Sequence, residues 1–135
     1  MSNTPQNLLC KCGTGKNYLQ CCGKYIDNLE LPQNPQQLMQ SRYTAYAMCN
    51  IEYIAKTMCG RASQGFNIQD TLLWAKQILW LKLEVLDSRI EEPNKGFVEF
   101  RAYFSQNNKN YVLHEISEFH RKNNKWFYVD GIILD

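Results

Sequence analysis

No run of apolar residues in this 135-residue chain approaches the roughly 20 that a helix needs to cross a bilayer. The opening "MSNTPQN" lacks both the basic region and the apolar stretch of a secretory signal. No helix-length segment carries a run of Lys or Arg, so a general polyanion-binding surface is not written here and nucleic acid is not an expected partner. Internal repeats and low-complexity segments are absent, and no Cys-His-Asn arrangement emerges from the spacing. These absences point to a cytoplasmic protein without a membrane role. In that reducing compartment clustered cysteines are metal ligands more often than disulfides.

What is present is a real core and a dense cysteine cluster. The chain is 44% hydrophobic and 21% charged, with eight Tyr, six Phe and three Trp, a composition that folds rather than remaining disordered. Its length suits one domain plus a short appendage. Four of the six cysteines fall in "LLCKCGTGKNYLQCCGKY", residues 8 to 25.

A phosphate-binding loop is excluded there. Its pattern requires glycine where Cys10 stands and a hydroxyl where Asn17 stands. A redox site is disfavoured, because thioredoxin-type centres use C-x-x-C at a helix start, whereas these cysteines read C-x-C and then C-C. Zinc fits better. Cys10 with Cys12 and Cys21 with Cys22 form two short clusters that a turn can bring into one tetrahedral site. Gly13 and Gly15 can take the positive φ that a tight wrap requires. Four thiolates around one divalent zinc also cancel the formal charge of +2.

"CKCGTGKNYLQCCG" closely resembles the SEC-C motif, a small zinc-binding element, at every fixed position, with Tyr18 as the aromatic. The resemblance implies Cys10, Cys12, Cys21 and Cys22 as the zinc ligands.

Beyond it, "LPQNPQQ" (31 to 37) is a proline-broken linker. It divides a zinc-binding segment, residues 1–31, from a second unit, residues 32–135. From Pro35 the apolar positions recur at spacings of three and four, predicting an amphipathic helix capped by Asn34. Asn50 caps a second helix, "IEYIAKTM", and "NIQDTLLWAKQ" reads as a third. From Ile78 the period changes to two. "LWLKLEVLD", "GFVEFRAYF", "YVLHEISEFHR" and "KWFYVDGIIL" have strand composition, separated by "EEPNKG", "SQNNKN" and "KNN". Helices followed by a meander of strands predict an α+β fold with the helices on one face of an antiparallel sheet.

The blocks "LMQSRYTAY", "WLKLEVLD", "FVEFRAYF", "LHEISEF" and "WFYVDG" resemble the YchJ family. That resemblance, from Cys10 to Gly131, implies a SEC-C motif followed by a nuclear-transport-factor-2-like cone: a curved antiparallel sheet wrapped around the helices and enclosing a cavity. "TMCG" (57 to 60) replaces a histidine-containing family segment, so any role for that histidine is not expected here. Longer members end in a second SEC-C motif, whereas this sequence ends at Asp135.

Arg42 falls within the apolar face of the first helix. A buried guanidinium must be paired, so an Arg42–Glu115 salt bridge is expected, with Asp130 as the substitute partner. The competing reading makes Arg42, Tyr46 and Glu115 a ligand-binding set in the cone. His114 and Glu115, as strand neighbours, are expected on opposite faces. Asp130 with Tyr43 or Tyr46 could move protons in a desolvated cone, although an Asp before Gly131 more often serves a turn. Cys49 and Cys59 read as small hydrophobes or surface thiols, and Trp74, Trp80 and Trp126 as packing. The expected function is binding: a knuckle that meets a protein partner, on a cone with room for a small ligand. The alternative is an isomerase, dehydratase or hydrolase acting in the cone.

Overall fold

The structure, a computed structural model, describes residues 8–134; the "MSNTPQN" segment and Asp135 lie outside the described residues. It opens with the cysteine loops, a 3-10 turn at Tyr18–Gln20 and a short helix α1, Gly23–Ile26. Three helices follow, α2 (Pro35–Ala47), α3 (Ile51–Lys56) and α4 (Ile68–Lys76). The chain closes with β1 (Leu79–Glu92), β2 (Lys95–Gln106), β3 (Lys109–Lys122) and β4 (Lys125–Leu134).

Side-chain caps start α2 and α3 at the expected Asn34 and Asn50, and a third asparagine, Asn67, caps α4 in the same way. Asn34, Asn50 and Asn67 each accept a hydrogen bond from the backbone N–H three residues on, and Pro35 occupies the first turn of α2. The strands pair as one antiparallel meander in the order β1-β2-β3-β4. Two of its connections are Asn-Asn pairs. Asn107, Asn108, Asn123 and Asn124 all have φ between 52° and 65°, the geometry that two-residue hairpins demand and that Asn tolerates.

The sheet has one inner face. Val85 pairs with Phe100, and Phe100 with Glu115; by alternation Val98, Ala102, Ser117 and Phe119 share that face. All of these except Val85 are buried. His114 is on the opposite face, where its Nε2 lies 2.6 Å from Glu99. Register shifts interrupt β1 at three places and β4 opposite Glu118–Phe119, adding twist where the sheet meets the helices.

Helix α2 differs from its expected amphipathic form. Ser41, Arg42, Tyr43, Thr44 and Ala45 are consecutive and all buried. Five consecutive helical residues sweep more than a full turn, so α2 is covered on every side. It packs against β1, β2 and β4, and also against α1 and α3. The core is correspondingly continuous. Cys10, Cys12 and Cys22 belong to the same buried cluster as Leu38, Tyr43, Ile54 and Phe119. No helix among the described residues is long and apolar enough to cross a membrane.

Candidate metal centre and ligand pocket

Two backbone devices bring the cysteines together. An antiparallel bridge between Leu9 and Asn17 closes the first loop, reinforced by the Cys10 N–H donating to the Lys16 carbonyl at 2.8 Å. Inside it Gly13 and Gly15 take φ of 88° and 81°, values that a Cβ would strain. The 3-10 turn then delivers Cys21 and Cys22 to the start of α1. Gly23 is obligatory for space, because a Cβ there would lie 2.6 Å from the Tyr18 carbonyl oxygen.

The four sulfurs lie within 4.8 Å of one another, and the Cys12 and Cys21 sulfurs are 3.6 Å apart. A tetrahedral thiolate site with metal–sulfur bonds of about 2.3 Å requires sulfur separations of about 3.8 Å. The donor set therefore fits a metal. Cys10, Cys12 and Cys22 are buried and all four are free of disulfides. Their ionisation is shared. S–H donation from Cys12 and Cys22 holds the Cys10 thiol well below the usual range, while the same sharing pushes Cys12 up to about 11 and Cys22 higher still. Sulfurs gathered this closely, three of them buried, form a donor set that a cation can collect. Two hydroxyls support the sulfurs: Thr14 Oγ1 is 3.2 Å from Cys21, and Thr44 Oγ1, on α2, is 3.7 Å from Cys10.

The opposite side of α2 borders a cavity of about 160 Å³ against the inner face of the sheet. Arg42, Tyr43, Tyr46 and Glu115 all line it. Asp130 does not line it. It pairs instead with Arg61 at 3.5 Å and accepts from the Gly131 N–H. The expected proton-transfer set of Asp130 with Tyr43 or Tyr46 is thus not assembled: the register shift in β4 turns Asp130 toward the Gly60–Ser63 turn.

The expected Arg42–Glu115 salt bridge is also not formed within 4.0 Å, nor is one between Arg42 and Asp130. Arg42 Nη1 donates to the Ile54 carbonyl at 2.9 Å and to Thr57 Oγ1 at 2.7 Å, closing the C-terminal end of α3. Its guanidinium lies 4.7 Å from the Tyr128 ring centroid, a cation–π contact. Glu115 Oε2 accepts from Ser117 Oγ at 2.6 Å and from Tyr128 Oη at 2.9 Å. Tyr128 therefore stands between the two charges that sequence alone pairs directly. Burial works against the charge of Arg42, while the surrounding phenols and the Glu115 carboxylate work for it. Burial, then Glu115, pushes the Tyr128 phenol far above its usual range, so it serves as a fixed donor. Burial pushes Tyr43 up to about 12, and it also raises Tyr46 against the opposing pull of Arg42.

Tyr128, Ser117 and Thr57 were not among the expected site residues. Ser117 was recoverable, since it is two positions from Glu115 on the same strand face. Thr57 and Tyr128 meet only because the chain after α3 runs beside β4, with the Tyr128 N–H donating to the Thr57 carbonyl at 2.9 Å. Gly131 completes the carboxylate's seat. A Cβ there would collide with Glu115 Oε2 and lie 2.5 Å from Tyr128 Oη and 2.8 Å from the Glu115 carboxyl carbon. Gly131→Ala is expected to cost about 2–3 kcal/mol through that overpacking and the broken hydrogen bonds. Urea denaturation measures it, and an unchanged midpoint would contradict this packing.

Comparisons with known proteins agree with this architecture. The model of the middle, NTF2-like domain of YchJ matches residues 34–131. A UPF0225 protein of Vibrio cholerae is 37% identical over 123 residues, covering 90% of this chain and 81% of its own length. The solution structure of a SEC-C motif containing protein from Rhodopseudomonas palustris matches with a TM-score of 0.84 at 33% identity, over 93% of this chain and 98% of that one. A crystal structure of a SEC-C motif containing protein from Psychrobacter arcticus matches with a TM-score of 0.80 at 26% identity, over 96% and 84%. With its cysteine knuckle ahead of the NTF2-like α+β domain, the chain belongs to the YchJ (UPF0225) family.

Proposed function

We propose that this protein is a zinc-dependent interaction module of the cytoplasm, in which the cysteine knuckle meets a protein partner and the cavity beneath α2 holds a small molecule. The observation that carries the reading is the convergence of four cysteine sulfurs within 4.8 Å, a donor set suited to a closed structural zinc site. The knuckle's outside supports a docking role. Leu8, Leu19, Leu29 and Leu31 are exposed in this segment, as are Lys11 and Lys16. Apolar anchors with a basic rim suit an acidic, apolar-studded partner segment. A reducing compartment keeps such thiols available to the metal.

Elemental analysis of protein purified from zinc-replete medium should find about one zinc per chain; finding none would overturn the metal reading. For the partner, the expected result is a protein that crosslinks to the wild type and is lost with the pair Leu19→Asp and Lys16→Glu. The same protein should be retained with Glu115→Gln. A partner that ignores the knuckle changes would remove the docking role.

The alternative of an isomerase, dehydratase or hydrolase has one observation in its favour, the Tyr128–Glu115 hydrogen bond at the cavity wall. That carboxylate, however, is held on one oxygen by two donors and seated on Gly131. Such a group orients a ligand more readily than it shuttles a proton.

A further inference from the structure

We infer that the cavity beneath α2 takes a neutral, single-ring planar molecule carrying an adjacent hydrogen-bond donor and acceptor, the –NH–C(=O)– edge of a cyclic lactam or pyrimidine-type heterocycle. The inference deepens the reading of the cavity as a ligand site and rests on it.

Size sets the first limit. A cavity of about 150 Å³ lined by apolar side chains accommodates benzene, and this one is about 160 Å³. Shape and lining set the second. Tyr43, Tyr46, Trp80, Phe100, Phe119 and Tyr128 present ring faces and edges to the space, with Trp74, 40% exposed, also on its boundary. Those surfaces favour a flat ring.

The polar groups set the third. Arg42 is 6% exposed and Glu115 8%. Arg42 uses Nη1 on Ile54 and Thr57, but among the described residues no acceptor meets its Nε–H or its Nη2 group. Glu115 uses Oε2 on Ser117 and Tyr128, while among the described residues no donor meets Oε1. The cavity therefore offers donors at one charged group and an acceptor at another. The opposite charges already balance. An anionic ligand would answer Arg42 but face Glu115, and a cationic ligand would do the reverse. Either leaves an uncompensated charge beside buried side chains. A neutral edge with one carbonyl and one N–H satisfies both groups and adds no charge.

The test uses the full chain loaded with its metal and four single-ring probes: 2-pyridone, N-methyl-2-pyridone, benzoate and benzamidine. Each is titrated while backbone amide resonances are followed by NMR. 2-Pyridone is expected to shift the amides of Arg42, Ser117 and Tyr128 in a saturable way. N-methyl-2-pyridone, which lacks the donor for Glu115, should bind at least tenfold more weakly. Glu115→Gln should shrink that discrimination, and the comparison among probes stands even if this variant does not fold. Tighter binding of benzoate or benzamidine than of 2-pyridone would overturn the ligand class while leaving the cavity a ligand site. If no probe moves those amides, both the ligand class and the cavity's binding role fail.

Discussion

Withdrawing the zinc proposed for the knuckle is expected to lower the protein's melting temperature by about 10 °C or more and to loosen α2 along with the knuckle. Structural zinc sites in small knuckles contribute about 10–16 kcal/mol of apparent binding energy at neutral pH, and that energy is folding energy. Only part is lost here, since the protein keeps its own sheet and helices. From the linker alone, residues before about Leu31 should unfold on chelation without effect on the remainder. The packing argues otherwise. Cys10, Cys12 and Cys22 are 5%, 4% and 1% exposed and share one core with Leu38, Tyr43 and Ile54. Thr44, fully buried on α2, touches the Cys10 sulfur. Without the metal, four sulfurs within 4.8 Å of one another crowd this space, and relief requires movement against α2. Thermal shift with and without a chelator measures the loss. Hydrogen exchange should show lost protection in α2 as well as before Leu31. A melting temperature unchanged to within about 2 °C, or protection lost only before Leu31, would return the knuckle to an independent appendage.

The parts of this fold that were legible from sequence are those governed by short-range chemistry. The caps at Asn34 and Asn50, the short turn at Asn123 and Asn124 and the strand alternation depend on residues within a few positions of one another, and all are found. The cysteine cluster is legible for the same reason, since both clusters and their glycines lie within fourteen residues. What was not legible depends on where separate elements meet. β1 runs on to Glu92 with Leu86 and Ile90 exposed, because pairing with β2 extends it beyond its patterned core. The burial of α2 on all sides needs both the knuckle and the sheet, so its periodicity shows only part of its surroundings. Asp130 shows the same limit, since one register shift in β4 decides which face it takes.

Arg42→Met is expected to destabilise the protein by about 1.5–3 kcal/mol, the range for hydrogen bonds made by a charged group, and Glu115→Gln should not restore it. A direct Arg42–Glu115 pair would require the opposite, because loss of one charge leaves the other unpaired and neutralising it recovers stability. The geometry assigns the energy elsewhere. Arg42 Nη1 satisfies the Ile54 carbonyl and the Thr57 hydroxyl, acceptors at the end of α3 that no longer helical segment is there to satisfy. Glu115 keeps Ser117 and Tyr128 whether or not Arg42 is present. Methionine fills the volume but offers no donor, so the cost is the loss of two charge-assisted hydrogen bonds, with only the longer Thr57 contacts left on the Ile54 carbonyl, and a lost cation–π contact over Tyr128. In double-mutant cycles, Arg42→Met with Glu115→Gln should retain more than half of the single loss. Thr57→Val added to Arg42→Met should cost less than Thr57→Val alone, because the hydroxyl has already lost the guanidinium and keeps only its bonds to the Tyr53 and Ile54 carbonyls. Chemical denaturation of the six proteins, wild type included, at one pH decides between the two arrangements. Recovery on Glu115→Gln, with Thr57→Val costing the same in both backgrounds, would make the carboxylate Arg42's true partner and move the arginine from α3 to the sheet.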